Sequence, residues 1–258
     1  MRWHFLNTGI STGQNNMDID IALAKNAKNN EGYFRLYKWK PYCISIGANQ
    51  SFDTINIEKA RVDGIDTVKR PTGGRAILHS EELTYSVVFP ISYDSSARDI
   101  YHEINVAIKN GLHLYDEKLS LVELESTQPD FNKIYKEEIS SICFAVSAKS
   151  EIKYSGKKLV GSAQRKFGNV ILQHGSILCG GFHKKVINYL NISPENILSV
   201  LNEIEATTTD LNSILGAEIN YSVLESAITR GFGEYFNIDM EEALRPANIE
   251  YNNEFSLQ

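Results

Sequence analysis

Lys153-Tyr154-Ser155-Gly156-Lys157-Lys158-Leu159-Val160-Gly161-Ser162-Ala163-Gln164 is followed closely by a second strand-like run, Asn169 to Leu178. Glu151 to Tyr154 and Lys157 to Val160 read as two strands of a hairpin turning at Ser155-Gly156. Asn169 to Leu178 reads as the next strand, after Gly168. Alternation places Lys158 and Val160 on one face and Leu159 on the other. The small residues 161 to 163 open a surface slot and leave backbone N–H groups accessible. A lysine facing such a slot can hold a carbonyl or carboxylate oxygen, although an exposed edge strand with ordinary surface lysines has the same local pattern. In the following strand, His174-Gly175 inside Gln173 to Leu178 points to close backbone approach. A lone strand histidine is otherwise a hydrogen-bonded core residue.

Outward toward the N-terminus, Arg70-Pro71-Thr72-Gly73-Gly74-Arg75-Ala76-Ile77-Leu78-His79 places two glycines between two arginines and ends in a histidine. Glycine lets the chain turn sharply and lets a ligand approach the main chain. Locally this is also a plain hairpin turn with solvated arginines. Arg35 to Trp39, Cys43 to Ile46, Asp66 to Lys69, Ala76 to Leu78 and Leu83 to Phe89 read as strands. Asn56 caps a short helix through Val62, with Gly64 ending it. Ile100, Ile104, Ile108 and Leu112 recur at helical spacing after Ser95-Ser96. From His183 onward the pattern is helical, with Ser193-Pro194 as a start signal and Leu224, Ala227, Ile228, Gly231 and Phe232 on one face of a last helix. The order predicts an α+β fold, a mixed β-sheet core with flanking helices. With no linker and no internal repeat, residues 1–258 read as one domain.

Several classes fall away. A net charge of −6 argues against nucleic acid, and no run approaches the length of a membrane span. No G-x-x-x-x-G-K-[ST] loop, dinucleotide fingerprint or H-E-x-x-H is present, and the scattered histidines predict no metal site. The three cysteines, Cys43, Cys143 and Cys179, are too few and too widely spaced for a disulfide framework or zinc knuckle. Met1 to Asn7 does not read as a secretory signal. A reducing cytoplasm is the expected location.

The three motifs, in this order, resemble the lipoate-protein ligase and octanoyltransferase family within the biotin/lipoate protein ligase superfamily. Its pattern has an arginine-rich entry to a glycine turn ending in histidine, a Lys-x-x-Gly-Ser-Ala segment and a His-Gly-Ser-Leu-like strand. Here these are Arg70 to His79, Lys158 to Gln164 and His174 to Leu178, while Asn16-Met17 and Asp20 to Leu23 resemble the family's N-terminal helix. The resemblance implies a mixed sheet with a tunnel for a medium acyl chain. It assigns Arg70, Gly73, Gly74, His79, Gly161, Ser162, Ala163 and His174 to substrate binding, with Lys158 stabilising the oxyanion. Ser80 follows His79 where many relatives carry aspartate.

Cys143, in Ser140-Ser141-Ile142-Cys143-Phe144, lies in a segment that resembles the cysteine loop of LipM-type octanoyltransferases. That resemblance implies a catalytic nucleophile there. A thiol is strongly nucleophilic even as a few per cent thiolate, and a nearby lysine raises that fraction. The implied reaction takes octanoyl from acyl carrier protein onto Cys143, then to a lysine of a lipoyl-accepting protein such as the glycine-cleavage H protein or another lipoyl domain. It needs no cofactor, because a thioester is already activated. The alternatives are an ATP- and magnesium-dependent lipoate ligase, an octanoyl amidotransferase between lipoyl domains, and a non-catalytic acyl- or carrier-binding module. Lys149, Lys153, Lys157, Lys158, Arg165 and Lys166 form a basic segment able to steer an acidic carrier, or simply a solvated lysine-rich hairpin.

Overall fold

The structure, a computed structural model, describes residues 1–91, 96–127 and 149–244. The main sheet has seven strands in the order β1-β2-β6-β10-β9-β8-β7. These are β1 (Arg2–Ser11), β2 (Glu31–Trp39), β6 (Glu82–Pro90), β7 (Glu123–Leu124), β8 (Ile152–Tyr154), β9 (Lys157–Phe167) and β10 (Val170–Leu178). β1 and β2 run parallel, joined by helix α1 (Gly13–Asn26), and every other neighbouring pair is antiparallel. A second sheet, β4-β3-β5, is built from β3 (Cys43–Ile46), β4 (Asp66–Lys69) and β5 (Ile77–His79). β3 lies in its middle, parallel to β4 and antiparallel to β5. The mixed α+β architecture is therefore as expected.

One local reading changes. β4 and β5 do not pair with each other, so the segment from Arg70 to Ala76 is a crossover past β3 and not a hairpin turn. β2 and β3 flank the Lys40-Pro41 turn but belong to different sheets. Other signals act as read. Asn56 accepts a hydrogen bond from Lys59 N at the start of α2 (Ile57–Val62), and Gly64 takes φ +70° just past its end. Ser155 and Gly156, at φ +49° and +76°, close the β8–β9 hairpin. Pro194 opens the Pro194–Thr207 helix, although Ser193 makes no side-chain cap bond.

Helix α3 (Ala97–Tyr115) is capped by Ser96 and Asp99 in a reciprocal pair, the S-x-x-acid arrangement of a capping box. Its buried Ile100, Ile104, Ile108 and Leu112 face the main sheet. The Tyr221–Tyr235 helix crosses it at a glycine-to-glycine contact. A Cβ added to Gly111 would lie 2.6 Å from Ile228 Cα, and one added to Gly231 would lie 2.2 Å from Gly111 N. Backbone cannot yield there as a flexible side chain would. Gly111→Ala is therefore expected to lower stability by about 1–3 kcal/mol despite alanine's better helix propensity. Thermal melting checks this, and an unchanged or raised Tm would show that the helices separate freely.

Candidate active site

Strand periodicity sorts the two faces of the main sheet. Leu83, Tyr85 and Val87 of β6 and Ile171 and Ile177 of β10 enter the core under α3. Glu82, Thr84 and Ser86 point the other way. The register sets His174 beside Ser86, Ser176 beside Thr84, Arg35 beside Ser86 and Tyr37 beside Thr84. On the far side of β10, His174 neighbours Ala163 and Ser176 neighbours Gly161. A polar band thus faces α1 and the small sheet. Between these layers lies a narrow, partly open cavity. Met17, Tyr37, Trp39, Ile77, Gly161, Ala163 and Gly175 supply apolar wall, and Ser45, Arg70, His79, Thr84, Ser162, His174 and Ser176 supply polar groups. Gly175 is needed for closeness: a Cβ there would sit 2.7 Å from Tyr85 Cε1 and 2.9 Å from Gly161 O.

Two buried carboxylates organise the polar band. Asp20, on α1, accepts from Arg35 Nη1 at 2.7 Å, Ser86 Oγ at 2.7 Å and Tyr37 OH at 3.0 Å. His174 Nδ1 approaches Asp20 Oδ2 at 3.4 Å, and its Nε2 meets Thr72 Oγ1 at 2.5 Å. Burial alone would raise the Asp20 pKa. The Arg35 charge, with the His174 and Ser86 hydrogen bonds, outweighs it and holds the carboxyl below its ordinary value. Burial lowers the pKa of His174 despite Asp20 beside it, which favours the neutral ring. Nδ1–H then donates to Asp20, and the Thr72 hydroxyl donates to Nε2.

Glu82 Oε1 accepts from Thr84 Oγ1 at 2.6 Å and Ser176 Oγ at 2.7 Å, and lies 2.8 Å from His79 Nδ1. Burial pushes its pKa upward, but His79 and the two hydroxyls bring it below normal. His79 Nε2 is 2.7 Å from Ser45 Oγ, which also accepts from Arg70 Nη1 at 3.0 Å. Trp39 stacks on His79 with ring centroids 4.0 Å apart and donates Nε1–H to Thr84 at 2.7 Å. Ser45, His79 and Glu82 share the connectivity of a serine-hydrolase triad. Ser45 is fully buried, however, and the guanidinium of Arg70 bonded to its oxygen lowers that oxygen's nucleophilicity. The array stiffens the cavity wall.

Arg70 is 2% exposed and not solvated. It donates to the carbonyls of Ser45, Gly73 and Arg75 and so pins the crossover. Gly73 and Gly74 do not line the cavity. Gly73 receives Arg70, and Gly74 O would lie 2.0 Å from a Cβ on Gly47, so these two shape the loop from outside. Ser162 contributes to the wall, but its hydroxyl bonds Tyr85 OH at 2.7 Å and Asn105 Oδ1 at 3.2 Å. Ser80 Oγ is buried without a partner among the described residues; nothing in the structure explains this.

Lys158 corrects the edge-strand reading. β9 lies between β10 and β8, and Lys158 is 1% exposed. Its Nζ stands 3.0 Å from Glu151 Oε2, and Glu151 Oε1 accepts Ser162 N–H at 3.2 Å. The alternation fails here because Lys153 pairs with Lys158 while Ile152 pairs with Val160. Leu159 is the extra residue of a bulge. Leu159 and Val160 both enter the core, so Lys158 and Val160 do not share a face as the simple pattern predicts. Among the described residues, Lys158 is linked to the cavity through Glu151 and the lining residue Ser162.

The basic segment also resolves differently. Lys153 pairs with Glu125, Lys157 donates to Glu205 O at 2.9 Å, Lys158 is buried, and Arg165 donates to Pro71 O at 2.8 Å. The six cations do not form one free patch. Cys143 lies outside the described residues. Cys43 and Cys179 are buried free thiols. Burial raises the Cys43 pKa well above normal and pushes that of Cys179 to about 12.

Residues 12–233 match the family described as the lipoyl protein ligase A/B catalytic domain. The chain belongs to this family. Within it, octanoyltransferase LipM of Lysinibacillus sphaericus (strain C3-41) is 32% identical over 261 residues, covering 96% of this chain and 92% of that one. LipM of Clostridioides difficile (strain 630) is 32% identical over 249 residues, covering 93% and 89%. This member of the lipoyl protein ligase A/B family is an acyltransferase of the LipM type. Among solved structures, a bi-partite lipoate protein ligase from Thermoplasma acidophilum, described with its E2 lipoyl domain, superposes with a TM-score of 0.73 at 17% identity. That match covers 93% of this chain and 85% of the other. A lipoate-protein ligase A bound with ATP also gives 0.73, at 20% identity over 93% and 87%. These two show the fold. No helix among the described residues is long and apolar enough to cross a membrane.

Sequence reasoning found six cavity residues: Arg70, His79, Gly161, Ser162, Ala163 and His174. It missed Met17, Tyr37, Trp39, Ser45, Thr84 and Ser176, and the carboxylates Asp20, Glu82 and Glu151 behind them. The available signal was charge out of place, since Asp20 lies in a helix among apolar residues and Glu82 opens a strand that is otherwise apolar or hydroxylated.

Proposed function

We propose that this acyltransferase moves octanoyl from acyl carrier protein, through a thioester on Cys143, to a lysine of a lipoyl-accepting protein, the glycine-cleavage H protein or another lipoyl domain. The observation that carries the reading is the cavity. It is narrow and mostly apolar, as a site for a small ligand needs, and the wall of Gly161, Ala163 and Gly175 suits a slender saturated chain. The name of the LipM relatives supplies the acyl group.

The Cys143 thiolate attacks the donor carbonyl. The carrier's sulfur leaves and takes up the proton that Cys143 lost. The acceptor amine then attacks the new thioester, an amide forms, and the amine's proton returns to Cys143. Lys158 donates to the oxyanion in both steps. Arg70, His79 and His174, with residues 161 to 163, hold the chain, and Gly73-Gly74 shape that wall from behind. Residues 1–258 act as one catalytic domain, and the buried free thiols of Cys43 and Cys179 suit a reducing cytoplasm.

The test uses apo H protein as acceptor. Octanoyl-acyl carrier protein is expected to modify it without nucleotide or magnesium, and free octanoate or lipoate with ATP is expected to yield little product. Efficient use of free lipoate with ATP, together with no use of the carrier thioester, would identify a ligase instead.

A further inference from the structure

We propose that Glu151 is a positioning residue of the transfer reaction, tying the Lys158 ammonium to the backbone of the cavity-lining strand. The inference rests on the reading of Lys158 as the oxyanion donor and adds what holds that donor in place. One carboxylate oxygen meets Lys158 Nζ at 3.0 Å, and the other accepts the N–H of Ser162 at 3.2 Å. The side chains are 4% and 1% exposed for Glu151 and Lys158. Ser162 is itself fixed, its hydroxyl bonded to Tyr85 and Asn105. The chain of contacts therefore runs from the core under α3, through Ser162 and Glu151, to the lysine.

Lysine is a compact charge on a flexible four-carbon stem. It cannot act as a preorganised donor unless something restrains the stem. An ammonium carries three N–H donors, and Glu151 engages one of them from a point fixed to the strand. A buried ion pair adds little net stability compared with apolar packing of the same volume. The position of this one, one contact from the cavity wall, matches a need of the chemistry. A displacement of roughly 1 Å in such a group can cost about 10²-fold in rate.

The experiment is single-turnover octanoyl transfer by Glu151→Ala, Glu151→Gln, Lys158→Ala and the Glu151→Ala/Lys158→Ala pair, with near-ultraviolet circular dichroism confirming the fold. Glu151→Ala is expected to slow the chemical step about 10²-fold while the donor concentration for half-maximal rate changes less than about threefold. Glu151→Gln keeps an acceptor for Ser162 N–H and is expected to lose about tenfold. The double variant should be no slower than Lys158→Ala alone, because a positioning residue has no effect once the group it positions is gone. If Glu151→Ala fails to fold, Glu151→Gln takes its place in the cycle. A normal rate in the Glu151 variants beside a slow Lys158→Ala overturns the inference and leaves the Lys158 reading intact. So does an additive double variant, or a loss confined to donor affinity. A normal rate in Lys158→Ala instead removes the underlying reading.

Discussion

Replacing Cys143 by alanine is expected to abolish acyl transfer, with a loss of about 10⁴-fold or more, the scale at which removal of a covalent nucleophile is felt. Cys43 is fully buried and Cys179 is 1% exposed. Burial raises both pKa values, Cys179 to about 12, so neither offers a useful thiolate fraction near neutral pH. If a cysteine carries the acyl group, Cys143 is the one left. Its chain neighbourhood agrees, because it precedes Glu151 by eight positions, and Glu151 touches both Lys158 and the cavity residue Ser162. Wild-type protein incubated with octanoyl-acyl carrier protein alone should gain the mass of one octanoyl group on the peptide containing Cys143. Hydroxylamine should remove it, as a thioester requires. Cys43→Ala and Cys179→Ala should still transfer, with some loss of stability from the space left behind. Full activity in Cys143→Ala, or the acyl group on another residue, would overturn the assignment.

The fold was legible where local chemistry and tertiary contacts agree. The Ser155-Gly156 turn, the Asn56 cap and the fourfold spacing of Ile100, Ile104, Ile108 and Leu112 each have a local cause, and each produces its element. β1 escaped notice because its residues are only partly buried along an edge and do not alternate cleanly. The second sheet was hidden for a different reason. β3, β4 and β5 are three or four residues each, and nothing local says which strand they pair with. In the site, glycine and histidine motifs pointed to the right walls, while the carboxylates that orient those histidines did not announce themselves. Asp20 meets His174 across 154 positions, a tertiary fact, whereas Glu82 lies three positions after His79 and meets it only because both side chains turn inward from the β5–β6 turn. Lys158 shows the limit most directly, since one bulge at Leu159 defeats the alternation on which its face was assigned.

Arg35→Met is expected to destabilise the protein by about 3–5 kcal/mol, the cost of leaving one partner of a buried ion pair uncompensated. For a chain of this size that corresponds to a fall in Tm on the order of 10 °C. Arg35 and Asp20 are both fully buried. Besides its 2.7 Å contact with Asp20, the guanidinium reaches Asn16 Oδ1 at 2.7 Å and Thr8 Oγ1 at 2.8 Å, so it joins α1 to β1 and β2. The pH dependence gives the sharper check. In the native protein the Asp20 pKa is held below its ordinary value. Its contribution is therefore present above the unfolded value of about 3.9 and is lost as pH falls through the folded value. Without Arg35, burial becomes the dominant influence and turns the shift upward, so the ionised carboxylate now opposes folding at neutral pH and protonation relieves it. The difference in unfolding free energy between wild type and variant should thus shrink from about pH 7.5 to about pH 5, measured by urea denaturation. Adding Asp20→Asn should restore much of the loss, because it removes the stranded charge. An equal difference at both pH values, or no restoration, would show that Asp20 is not the source. The same substitution reaches the chemistry through one more contact. Asp20 lies 3.4 Å from His174 Nδ1, and His174 in turn holds Thr72 in the crossover beside Arg70. Transfer activity of the refolded Arg35→Met protein should therefore fall together with its stability, even where the protein remains fully folded.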